Sequence, residues 1–196
     1  MTFAVRRVSA GLGTALILAC LATTPAWSET YNHRDARHDV GSHTADSPVL
    51  HHLPRNQKLD VTYVRVDYSG TRVRFAVGLR STSMKGLEER DLSFTVKTNG
   101  HTYSGGWSEY HGGLEYDMLD ENTGKQFVCN TEASGTTDHS IWLNVGRSCF
   151  GKPKWISASV FMAGKSAAGR WYLDNPQADA WNDLTNHYTR RLHRTA

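Results

Sequence analysis

From Leu59 onward the chain alternates between apolar and polar residues. In "VTYVRVDYSGTRVRFAVGLR", Val64, Val66 and Tyr68 fall on one face. After Ser69-Gly70, residues Val73, Phe75, Val77 and Leu79 do the same, with Arg72, Arg74 and Arg80 opposite. A period of two on both sides of a glycine turn predicts an antiparallel hairpin. "DLSFTVKTNGHTYSGGW" repeats the pattern, with Leu92, Phe94 and Val96 inward and Asn99-Gly100 at the turn.

Further short strands are predicted in "GLEYDML", "KQFVC", "SIWLNV", "KWISASVFM" and "RWYLD". Strands at this spacing, separated by Gly, Asn and Ser, predict an all-β domain over 59–190, an antiparallel β-sandwich of jelly-roll type. Only "QADAWNDLTNHYTRRL", residues 177–192, carries a pattern suited to a short carboxy-terminal helix. Residues 29–58 are polar and rich in His, Asp, Ser and Pro, and read as a solvated, partly disordered lead-in.

The first 28 residues have the layout of a secretory signal peptide: Arg6 and Arg7, an apolar run through Leu21, then Pro25 and small residues, with cleavage expected after Ser28. The alternative is a lipid anchor at Cys20, at the end of "ILAC". Export as a secreted chain is the expectation, with no transmembrane span in the mature protein. Removing the segment takes Arg6 and Arg7 from 22 Lys+Arg and leaves 20 against 19 Asp+Glu. A chain so close to neutral lacks the concentrated positive field that nucleic acid requires. Nothing in the pattern specifies an oligomeric state.

Cleavage also removes Cys20 and leaves Cys129 and Cys149. An even cysteine pair in an oxidising compartment reads as a disulfide. Closing a loop of that length removes about 3 kcal/mol of denatured-state entropy in the chain-entropy model. Metal ligation by Cys129, His139 and Cys149 would need shorter spacings and a fourth ligand. Asp138, His139 and Ser140 are adjacent on an extended chain, so their side chains point to opposite faces and make no triad.

The chain resembles a group of secreted actinobacterial β-sandwich proteins of unassigned function, loosely similar to DOMON and family-nine-type carbohydrate-binding domains. The residues that carry the resemblance are "HRDARHDV", "LDVTYVRVDY" running into "RVRFAVGLR", and "GRSCFGKPKWI", within residues 30–175. Departures are Gly146, Phe150 and Ile156, where the group often has Pro, Leu and Val; all are compatible with a core. The resemblance implies a sandwich and supplies no activity. Asp35 and Asp39 match an acidic pair of that group.

Enzyme signatures fail one by one. "GKSAAG" lacks the earlier glycine of a phosphate loop, and no G-x-S-x-G or H-E-x-x-H occurs. Glu88-Glu89 and Asp120-Glu121 are carboxylate pairs without a defined partner across a cleft. The reading is therefore non-catalytic and without a required cofactor. Calcium and zinc are the ions the remaining residue types would hold. His33, His38 and His43, with His51 and His52 nearby, are the zinc candidates. Asp35, Asp39 and Asp60 are the candidates for one calcium ion. Asp120-x-Asn122-x-Gly124 is a fragment of an oxygen-rich loop, more simply a turn.

Aromatic residues give the functional lead. If Ile141, Leu143 and Val145 face the core, Trp142 faces out. If Ile156, Ala158, Val160 and Met162 face in, Trp155 and Phe161 face out. Exposed rings stack on sugars. Trp107, Tyr110, His111 and Tyr116 are candidates to line a loop site. The expected role is an extracellular binding module for glycan or cell-envelope polymer. A protein-interaction or inhibitor domain is the alternative, and an exported hydrolase the third.

Overall fold

The computed structural model describes residues 28–35, 39–53, 59–80, 86–110, 113–129, 131–137, 139–178, 180 and 182–193, by backbone alone at 48, 113–116 and 131–136. The described strands, in chain order, are β1 (Glu29–Arg34), β2 (Gly41–Thr44), β3 (Ser47–His52), β4 (Val61–Tyr68), β5 (Arg72–Leu79), β6 (Leu87–Lys97), β7 (Thr102–Tyr110), β8 (Gly113–Asp120), β9 (Lys125–Phe127), β10 (Thr131–Thr137), β11 (Ser140–Gly146), β12 (Trp155–Ser166), β13 (Arg170–Asp174) and β14 (Leu192–His193). They form two antiparallel sheets. The smaller has the order β1-β4-β5-β11-β10; the larger has the order β3-β2-β13-β12-β6-β7-β8-β9, with β14 added to β12.

The alternation decides which faces meet. Val64, Val66, Phe75, Val77, Ile141 and Leu143 from the smaller sheet join Leu92, Phe94, Val96, Ile156, Val160 and Met162 from the larger in one buried cluster. The Phe75 and Phe94 rings stack across the gap at 4.3 Å. This is a β-sandwich, each sheet hydrophobic on its inner side. Close packing leaves Gly105 no freedom: a Cβ there would lie 2.6 Å from the Met118 sulfur and 2.9 Å from the Phe94 ring.

Both predicted hairpins form, with their turns at 69–71 and 98–101. Cys129 and Cys149 are joined in a disulfide with Cα atoms 5.9 Å apart. The predicted strand "KQFVC" ends at Phe127, because Val128 turns out to solvent and Cys129 turns in to its partner. Cys149 sits on a 3-10 turn, Arg147–Phe150. Arg147 is 8 % exposed and braces that turn. Its guanidinium donates to the Tyr68 hydroxyl at 3.0 Å and to the carbonyls of Gly70, Lys152 and Pro153.

Two expectations need correction. The polar lead-in is not outside the sandwich: β1 pairs with β4 along six residues, while β2 pairs with β13 and β3 with β2. Val40 at 0 % exposure supplies the apolar anchor that a His- and Asp-rich segment hides. The carboxy-terminal helix is absent among the described residues of 177–192. Their side chains serve β12 instead. Gln177 accepts from the Val160 N–H at 2.7 Å, and the Thr189 hydroxyl accepts from the Ala158 N–H at 3.1 Å. The segment thus fills the gap between β13 and β14 along β12. A helix would take those groups away from backbone donors that need partners. Near its end, Arg190 and the His193 N–H both hydrogen-bond the Glu29 carboxylate, which clasps the two ends of the described chain together.

Candidate functional site

The outer face of the larger sheet carries a trough, built from cross-strand rows. Register places Phe161 of β12 beside Ser93 of β6, Ser93 beside Gly106 of β7, and Gly106 beside Asp117 of β8. The adjoining row is Ala163, Asp91 and Ser108. On such a face every second residue points outward. Here most of those residues are small. Gly106 and the serines leave a depression of about 240 Å³ lined by Asp91, Ser93, Gly106, Ser108, Asp117 and Phe161. It continues toward Ser104 and Gln126 on one side and toward Ser159 and Asn186 on the other. Gly106 sets the depth of the floor: a Cβ there would stand 2.8 Å from the Leu92 carbonyl oxygen.

The trough has one half-exposed ring, Phe161, facing carboxylates and hydroxyls. Burial raises the pKa of Asp91, an effect the Ser108 hydroxyl partly offsets by hydrogen-bonding the charged form. Glu89, two residues away, is raised by burial and by repulsion from Asp91, with Lys165 pulling the other way. An apolar ring opposite polar acceptors is the surface a polyol ring presents a match to, C–H face on one side and hydroxyls on the other.

The predicted aromatics are split between places. Trp142, on β11, faces out from the smaller sheet, with the Arg74 guanidinium 5.1 Å above its ring. Trp155, on β12, faces out from the larger sheet, with Arg191 4.4 Å above it. The two tryptophans therefore lie on opposite sides of the sandwich and share no platform. Phe161 is on the Trp155 side, six residues along. Trp107 is 3 % exposed and reaches the trough only at its edge, so it is a core ring and not a loop residue. Tyr110 ends β7 at 51 % exposure. Tyr116 lies opposite Trp107 in the backbone register; its side chain, and His111, are outside the described residues.

Among the described residues the histidines do not converge. His33 is on β1 of the smaller sheet, stacked with Tyr31. His43 is on β2 of the larger, stacked with Trp171. His38 is outside the described residues. In the loop after β8, the Asp120 carboxylate accepts from the Asn122 N–H and meets His101, and Asn122 accepts from the Thr102 N–H. Those oxygens are committed to a turn, completed by Gly124 at φ 69°.

The acidic candidates do converge. Asp35 follows β1 and Asp39 precedes β2, where the chain crosses between sheets. They meet Asp174, the last residue of β13, with one carboxylate oxygen from each within 4.8 Å of the others. Asp60, at 0 % exposure, lies beside β4, with Arg80 at 3.5 Å. Burial, and then the negative charge of Asp35, raise the pKa of Asp174 well above that of an ordinary carboxyl, against the pull of the Val61 N–H; Asp39 and Asp60 add to the rise. Asp174 escaped the sequence reading because its partners lie more than a hundred residues away along the chain. Its only local signal was an acid closing the strand "RWYLD".

No helix among the described residues is long and apolar enough to cross a membrane. No protein-family model, curated protein or solved structure matches this chain, so the functional reading rests on the chemistry of its surfaces.

Proposed function

We propose that this protein is a non-catalytic, exported binding module whose outer trough holds a glycan or cell-envelope polysaccharide. The observation that supports it is the row Phe161–Ser93–Gly106–Asp117 with Asp91 and Ser108 beside it. The ring offers a stacking face. The carboxylates and serines offer acceptors and donors to sugar hydroxyls, and the trough runs across several strands so that a chain can lie along it. The loose resemblance to carbohydrate-binding domains points the same way.

The test is retention of the purified protein on insoluble glucans, chitin and bacterial cell wall, with Phe161→Ala alongside and released reducing ends measured in parallel. Saturable retention that falls about tenfold in the variant, as loss of about 1.4 kcal/mol would produce, without release of reducing ends, is the expected result. Release of sugars would make the protein a hydrolase. Absence of retention on every polymer would sink the glycan reading and turn the search to protein partners.

A further inference from the structure

Three carboxylates gathered in a poorly solvated corner repel one another unless a cation or protons intervene. Asp174 is 1 % exposed. Its Oδ2 accepts from the Val61 N–H at 2.8 Å, yet its buried Oδ1 accepts from no donor among the described residues. Buried acceptors are normally satisfied, and this one stands in a cluster with Asp35 and Asp39 whose oxygens lie within 4.8 Å of one another. Oxygens on opposite sides of one calcium ion are roughly 4.6–5.2 Å apart, given Ca–O distances of about 2.3–2.6 Å. The spacing therefore matches a shared ion.

We infer that Asp35, Asp39 and Asp174 bind one calcium ion at the crossing between the two sheets. The donor set is entirely oxygen, which favours a hard cation over zinc. Asp60 is held by Arg80 and adds to the negative field at Asp174. The position gives the ion a structural consequence. Asp35 continues β1 of the smaller sheet, and its N–H donates to the Thr62 carbonyl. Asp39 leads into β2 of the larger sheet, and Asp174 ends β13, the neighbour of β2. One ion therefore fastens the crossing segment to both sheets. The sequence alone offered Asp35, Asp39 and Asp60; the fold replaces Asp60 with Asp174 as the third ligand.

The experiment uses the full chain, stripped with EGTA and titrated calorimetrically with calcium chloride, then melted with and without the ion. Magnesium and zinc chloride run as controls. The expected result is one calcium per chain and a melting temperature raised by about 5 °C or more at a hundredfold excess over Kd. Asp39→Asn and Asp174→Asn should each weaken binding at least tenfold while keeping the β-rich circular dichroism of the parent. Asp39 is the less buried of the two, so its amide variant carries the test if Asp174→Asn does not fold. No saturable calcium binding, binding unchanged by Asp39→Asn, or zinc bound in preference to calcium would overturn the assignment.

Discussion

Two sites on the outer surface of this sandwich, Trp142 on the smaller sheet and Phe161 on the larger, surround an aromatic ring in opposite ways. On the smaller sheet, Trp142 lies under Arg74, amid Arg65, Asp67 and Arg72 on neighbouring strands. Its ring face is already occupied by a cation. On the larger sheet Phe161 borders glycine and serines, and the next outward residue along its own strand is the small Ala163. The ring there stands over a depression instead of under a guanidinium. Trp155 and Trp171 repeat the first case, covered by Arg191 and Lys165. An outward aromatic by itself therefore says little about what a face does; the side chains around it decide whether the ring is covered or open.

The comparison can be broken most severely by filling the trough. Gly106→Val would force a side chain toward the Leu92 carbonyl and should abolish polymer retention and lower the melting temperature together, both read on one preparation. Phe161→Ala should cost about tenfold in retention with little change in stability, while Trp142→Ala leaves retention within about twofold. Equal losses in the two single variants would erase the distinction between the faces.

Acid sharpens it further. Asp91 has a raised pKa, so its carboxylate takes up a proton at higher pH than an ordinary aspartate, and retention should fall as pH drops through that window. The same shift means the charged form is penalised in the folded state. Stability should therefore decline as pH rises from the unfolded value of Asp91 through its folded one, the opposite of the binding trend. Asp183 provides the contrast: the Thr185 hydroxyl and N–H, with His187, hold its pKa down to about 2, so the turn it anchors should persist until far lower pH. Chemical shifts of the two carboxyls followed across pH 2–7 check both directions. The smallest effect is that of Trp142→Ala on stability, about 0.5–1 kcal/mol for an exposed cation–π contact, measured by denaturant unfolding.

Much of the fold was legible because alternation and burial coincide: Val64 to Leu79, Leu92 to Val96, Ile141 to Val145 and Ile156 to Met162 are buried as their period requires. The disulfide followed from counting. β1 to β3 were hidden, since they are tied to the sheets by backbone pairing with β4 and β13 and by isolated side chains such as Tyr31 and Thr30 that make no alternating pattern. The helix failed for a related reason, Gln177 and Thr189 being recruited by the edge of β12 left open between β13 and β14, which no local pattern announces. The trough was invisible because glycine and serine carry no periodic signal. Of the acidic group, Asp35, Asp39 and Asp60 were picked out by type, but only the fold brings Asp174 to them.

The clasp of Glu29 by Arg190 and the His193 N–H also bears on connectivity. With those two ends side by side, the order in which the strands are joined is separable from the sandwich they build. A short linker from 193 to 29, with new termini opened at the exposed Asn99-Gly100 turn, should give a circular permutant with the same two sheets.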